Sequence, residues 1–127
     1  MSIKVVSTDK APAAIGPYSQ AVIANGMLYA SGQIPLIPAT GEIIEGGVAE
    51  QTKQVLDNLR EVVSAAGSSL ASVVKVTIYI TDMQQFAVVN EIYGTYFSEP
   101  YPARACVQVS ALPKGVEVEM DAIVQLD

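Results

Sequence analysis

Near the C-terminus of this 127-residue chain, an arginine, a cysteine and a glutamate stand where they could act together on one small molecule. Arg104 and Cys106 alternate with apolar residues in ARACVQV, and Glu119 and Asp121 alternate with Val118, Met120 and Ala122 in VEMDA. Successive side chains of a strand point to opposite faces. Ala103, Ala105, Val107 and Val109 are therefore expected on one face, toward the core, and Arg104, Cys106 and Gln108 on the other. The last strand divides the same way, with Val118, Met120 and Ala122 inward and Glu117, Glu119 and Asp121 outward. An antiparallel hairpin that opposes Val109 to Val116 also opposes Cys106 to Glu119 and Arg104 to Asp121. Arg104, Cys106 and Glu119 would then share one patch.

In such a patch the guanidinium fork grips a planar carboxylate through two parallel hydrogen bonds that lysine cannot reproduce. A carboxylate from Glu119 holds or activates a water beside it. This is equipment for hydrolysing a small carboxylate-bearing molecule with neither a covalent intermediate nor a metal. An ordinary solvated face, with a cross-strand ion pair of little effect, would carry the same residues. Cys106 argues for a drier place, because free cysteine is usually withdrawn from water. A half-buried polar face suggests a subunit interface. Copies packed around a closed ring would cover the free side of the sheet and enclose Arg104 in a cleft.

Composition narrows the chemistry further. The chain has no histidine and one cysteine, which excludes Ser-His and Cys-His nucleophiles and argues against a zinc or other metal site. Without histidine, Cys106 is expected to be a bystander thiol rather than a nucleophile. Thirteen acidic against seven basic residues give a net charge of −6, which repels nucleic acid and anionic membranes. The start MSIKVVSTDK has no apolar run of the kind a signal peptide needs, and a single cysteine forms no internal disulfide, so a cytoplasmic location is expected.

The elements that must position these residues fit one domain over residues 1–127. Ile3 to Val6 reads as a strand, followed by the proline-containing loop TDKAPAAIGPYS. Gln20 to Ala24 and Met27 to Ser31 flank Asn25-Gly26, the dipeptide suited to a type I′ turn, and form a hairpin. Pro35 to Gly47 reads as a long loop with one short edge strand. Val48, Val55, Leu59, Val62 and Ala66 recur at helical spacing before Gly67, predicting one amphipathic helix. VVKVTIYIT, Val73 to Thr81, is a central strand. Asp82 with Gln85 opens a second helix whose apolar stripe is Phe86, Val89, Tyr93 and Tyr96. Strands from Ala103 to Ser110 and Val116 to Gln125 complete an α+β fold, a mostly antiparallel sheet with two helices on one face.

Four segments in order, APAAIGPYSQA, YASGQIPL with TGEI, NEIYGTYF and PARACVQVSALPKGVEVEM, closely resemble the RidA family, also called YjgF/YER057c or reactive intermediate deaminases, and within it the YabJ-like bacterial members. The resemblance spans nearly the whole chain. It implies a chorismate-mutase-like (bacillar type) fold assembled as a homotrimer, with a cleft between each pair of neighbouring subunits. It further implies cofactor-free hydrolysis of enamine and imine intermediates, such as 2-aminoacrylate, 2-iminobutanoate and 2-iminopropanoate, to 2-keto acids and ammonia.

Position by position, Arg104 matches the family's carboxylate clamp and Glu119 the glutamate that positions the hydrolytic water. Cys106 matches a residue beside the substrate, Tyr18 and Ser31 match cleft-lining residues, and Asn90 matches a second-helix residue near the site. Gly32 would let backbone approach the ligand closely. Tyr18 could equally be a packing residue with a wet hydroxyl, Ser31 could simply close its strand, and Asn90 could be structural. Ala105 stands where many relatives carry serine, and FSEPYPAR varies in length among them, which bears on substrate preference. The resemblance also admits a different class of role: a non-enzymatic protein that binds small 2-keto acids and docks on a metabolic enzyme or transcription regulator.

Overall fold

Among residues 2–127, which the computed structural model describes, the chain forms six strands and two α-helices. These are β1 (Lys4–Val6), β2 (Ala21–Ala24), β3 (Met27–Gln33), α1 (Val48–Ala65), β4 (Val73–Ile80), α2 (Phe86–Tyr96), β5 (Ala103–Gln108) and β6 (Val118–Gln125). The strands make one sheet in the order β1-β2-β3-β6-β4-β5. Every pairing is antiparallel except β4 with β5. The α1 helix packs on α2, β3 and β6, and its Val55, Leu56, Leu59, Val62 and Val63 are fully buried. They share one core with Val76 and Ile78 of β4, Val118, Met120 and Val124 of β6, and Val89 of α2. No helix among the described residues is long and apolar enough to cross a membrane.

Local rules account for most of these elements. Asn25 and Gly26 have φ of 52° and 73°, both positive as a type I′ turn requires. Glu50 ties down the start of α1 by accepting from the Gly47 amide at 3.1 Å, and Gly67 ends α1 with φ of 81°. Residues 34–47 form the expected loop with a single bridge, Leu36 to Ile43. Buried Asn58 of α1 pins that loop by donating to the carbonyls of Ile34 and Leu36. Asp82 caps the start of the second helical segment by accepting from the Gln84 amide.

The last two strands differ from the sequence expectation. They form no hairpin. Helix α2 carries the chain back to the starting end of β4, so β5 runs parallel to β4 as a strand-helix-strand crossover dictates. Residues 109–117, with a short 3-10 turn at Pro113–Gly115, then lead β6 into the sheet between β3 and β4. Burial explains the choice. β6 brings Val118, Met120 and Val124, all fully buried, to the centre, while Ala103, Ala105 and Val107 of β5 stay exposed at an edge.

This topology reverses the facing expected of β5. Residues opposite one another on neighbouring strands point to the same side of the sheet. Arg104 lies beside Val76 and Cys106 beside Ile78, and both partners are buried under the helices. Arg104 and Cys106 therefore emerge on the helix side, and Ala105 and Val107 on the open side. Glu119 and Asp121, beside Tyr79 and Thr77, lie on the open side as expected.

Candidate functional site

At the edge of the sheet, α2 holds the Arg104 side chain. Its Nη1 donates to Asn90 Oδ1 at 2.7 Å. Its guanidinium carbon lies 4.8 Å from the Tyr93 ring centroid and 5.4 Å from that of Phe86. Each such cation–π contact contributes about 0.5–1 kcal/mol at an exposed site. Phe86, Asn90 and Tyr93 follow at i, i+4 and i+7, one stripe of the helix. In sequence the two aromatics fit a core stripe; the amide interrupting that stripe is the signal that they serve the arginine. Among the described residues the one ion pair is Arg60 with Asp57, so no carboxylate neutralises Arg104. A cavity of about 470 Å³ opens beside it, lined by Asn90, Tyr93, Gly94, Tyr101, Pro102 and Arg104.

Cys106 lies two residues farther along β5 on the same side, half-buried. Burial pushes its thiol pKa up, and the nearby Arg104 charge only partly opposes this. A thiol held in its protonated form is a poor nucleophile.

Tyr93 carries an unusual cost. Its side chain is buried, its ring stacks on Phe97 at 4.5 Å, and its hydroxyl has no hydrogen-bond partner. An unsatisfied buried polar group costs about 1–3 kcal/mol, so the ring rather than the hydroxyl is what the fold needs here. Tyr93→Phe should unfold in urea at an equal or higher midpoint, with a gain of up to about 1 kcal/mol, while Tyr93→Ala loses about 3 kcal/mol or more. A clear loss in the phenylalanine variant would show that the hydroxyl has a partner.

A second group gathers on the open side, around an irregularity between Ala30 and Gln33 where β3 slips against β6. Gly32 lies there, and a Cβ at this position would overlap the Glu119 carboxylate. The absence of a side chain at Gly32 lets the Glu119 carboxylate lie against the backbone in this position. Ser31 Oγ donates to the Ser19 carbonyl at 2.6 Å and its amide donates to Gln20 O. The hydroxyl therefore ties the loop that carries Tyr18 to β3. That loop is fixed further by buried Gln20, whose side chain accepts from the Thr8 amide and donates to the Thr8 and Pro12 carbonyls. Tyr18 itself is half-exposed and shares a small crevice with Gly32.

Within the chain these two groups do not meet. β4 and β6 lie between β5 and β3, and Glu119 stands two strands from Arg104, roughly 10 Å across the sheet and on its opposite side. The single patch of Arg104, Cys106 and Glu119 expected from a hairpin is corrected to two separate groups. Arg104, Asn90 and Cys106 form one; Glu119, Gly32, Ser31 and Tyr18 form the other. Among the described residues, no three His, Cys, Asp or Glu side chains gather as a metal-binding group.

Burial first, and then the neighbouring Asp121 carboxylate, raise the Glu119 pKa above its ordinary 4.5. Tyr79 engages the same Asp121 through a 2.9 Å hydrogen bond. A carboxyl with a raised pKa in the fold binds more protons folded than unfolded across the interval between those two values. Stability therefore falls as pH rises through that interval. Glu119→Gln should remove this part of the decline and be the more stable protein at neutral pH, as thermal unfolding across a pH series would show. A glutamine variant with the wild-type slope would contradict it.

The family model described as Endoribonuclease L-PSP matches residues 8–126. A protein named 2-iminobutanoate/2-iminopropanoate deaminase from Bos taurus is 52% identical over 120 residues, 94% of this chain and 88% of the relative. The crystal structure of RidA from the Antarctic bacterium Psychrobacter sp. superposes with a TM-score of 0.94 at 49% identity, covering 97% of this chain and 99% of the other. That of E. coli TdcF with bound serine gives 0.92 at 45% identity, covering 98% and 99%. Matched by the family model over residues 8–126 and about half identical to relatives that it covers almost completely, the chain belongs to the Endoribonuclease L-PSP family, which includes the RidA proteins.

Proposed function

We propose that the protein is a 2-imino acid deaminase, hydrolysing enamine and imine intermediates such as 2-aminoacrylate, 2-iminopropanoate and 2-iminobutanoate to 2-keto acids and ammonia. One observation carries this reading. Arg104 is a guanidinium with no carboxylate partner, braced by Asn90 and two aromatic rings at the mouth of a cavity. Such a group is built to receive a small anion from outside. Relatives of Bos taurus and Homo sapiens, 52% and 51% identical, are named for this activity. A relative of the same fold holds serine, a small amino-acid carboxylate.

The active cleft in this reading is completed by a second copy of the chain, within a homotrimer. The open side of the sheet bears Val5, Tyr29 and Val107, all substantially exposed, beside half-buried Glu119. An apolar face of this kind is ordinarily covered. Packing it against the β5 edge of a neighbour brings one chain's Glu119, Gly32 and Tyr18 toward another's Arg104, Asn90 and Cys106.

An enamine first tautomerises to the imine. The Arg104 fork holds the carboxylate, and a water held by Glu119 adds its oxygen to C2 while the C=N double bond becomes single and nitrogen takes a proton. The resulting carbinolamine re-forms a carbonyl as the C–N bond breaks, and nitrogen leaves as ammonia. Imines of this kind already hydrolyse in water, so positioning and a nearby carboxylate suffice. The raised pKa of Glu119 brings it nearer the pH at which it can exchange protons.

The family description points to RNA cleavage, but a chain with net charge −6 and no histidine is poorly equipped to bind and cleave a polyanion. The test is ammonia release from imine generated in situ by an amino-acid oxidase. The rate should rise in proportion to added protein; a rate equal to that in buffer would overturn the reading.

A further inference from the structure

The wall of the Arg104 cavity includes a glycine that the fold does not require. Gly94 lies inside α2, where glycine weakens a helix relative to alanine. Three structural demands ordinarily justify such a residue, and Gly94 meets none. It is not among the glycines with positive φ. A Cβ built on it would meet no atom within 4 Å. The cap of the helix is Phe97, three residues later. What Gly94 does is leave the cavity open on the α2 side. Tyr101, 60% exposed, lines the same cavity, in a segment whose backbone is restricted by Pro100 and Pro102 on either side.

The cavity is an open depression of about 470 Å³, more room than a three-carbon acid fills. Its charge is concentrated at Arg104, and Gly94, Tyr101, Pro102 and the Tyr93 ring supply an uncharged remainder. A carboxylate gripped by Arg104 therefore leaves room beside it for an aliphatic chain.

We infer that Gly94 and Tyr101 form the subsite for the side chain of the imino acid and determine how long that chain can be, admitting aliphatic side chains of the size of leucine. This rests on the deaminase reading and adds to it the residues that set selectivity. The space above Gly94 admits the chain, and the Tyr101 ring covers it. Tyr101 was not singled out in the sequence because a tyrosine between two prolines reads as loop.

The test compares 2-imino-4-methylpentanoate with 2-iminopropanoate, each generated in situ. The ratio of their kcat/KM values, longer over shorter, should fall at least about tenfold in Gly94→Leu, whose side chain fills the space, because a single methylene in an apolar pocket is worth about 10–200-fold. Gly94→Ala should lower the ratio less, and Tyr101→Ala should lower it by loss of the covering ring. A ratio unchanged in Gly94→Leu, with the variant folded by circular dichroism, would overturn the inference. Binding of the corresponding 2-keto acids, pyruvate and 4-methyl-2-oxopentanoate, is measured by calorimetry in parallel. Should the wild-type protein hydrolyse neither imine, the deaminase reading fails, while the subsite still stands or falls on whether Gly94→Leu selectively weakens the longer keto acid.

Discussion

Arg104→Ala should lower kcat/KM for 2-iminopropanoate by about 100-fold or more, and Arg104→Lys should recover little of it. The alanine variant loses both parallel hydrogen bonds to the carboxylate and the charge that attracts it; truncating one partner of a hydrogen-bonded charge pair costs about 2–5 kcal/mol. Lysine restores the charge alone. A lone ammonium cannot keep the 2.7 Å bond to Asn90 and present two coplanar donors at once, and it loses the planar stacking on Phe86 and Tyr93. The carboxylate would still be attracted but no longer oriented, so C2 would not be held before the water. The fold should tolerate both changes, because Arg104 is exposed in the isolated chain and its ring contacts contribute about 1 kcal/mol each at most. Kinetics equal to wild type in the alanine variant, with an unchanged urea midpoint, would remove the arginine from the mechanism.

The residues that would do this chemistry were easier to find in the sequence than the surfaces they occupy. Asn25-Gly26, the helical spacing from Val48 and the β-branched run of β4 each encode their element through local geometry, and each forms as expected. The neighbour of β5 is not encoded locally. Alternation divides ARACVQV into two faces without saying which is inward, because small alanines on one face and a half-buried cysteine on the other fit either choice. The crossover through α2 decides it, and that is a property of the whole sheet. Gly32 shows a related gap. Its type signals close approach, and the slip of β3 against β6 shows one group that does approach it, the Glu119 carboxylate. Phe86 and Tyr93 were legible as a stripe and read as core, although a stripe facing an edge strand also brackets whatever side chain that strand sends toward it.

Because Arg104 and Glu119 lie on opposite sides of one sheet, two inactive variants should repair each other when mixed. Arg104→Ala keeps Glu119, and Glu119→Gln keeps Arg104; each alone should be reduced about 100-fold or more. If a cleft takes its arginine from one copy and its glutamate from the next, then in an equal mixture of exchanging subunits it is intact whenever the first is the glutamine variant and the second the alanine variant. In a closed ring assembled at random, that condition holds for about a quarter of clefts, so about a quarter of wild-type activity should return. If both groups of a cleft came from one chain, every cleft would carry one defect and mixing would restore nothing. The measurement is ammonia release after the two variants are partly unfolded together and reassembled, with native mass spectrometry on differently tagged chains confirming that mixed oligomers formed. Verified mixing without recovery, with each variant inactive alone, would mean that one chain supplies both groups to a cleft and would overturn the assignment of Arg104 and Glu119 to different subunits.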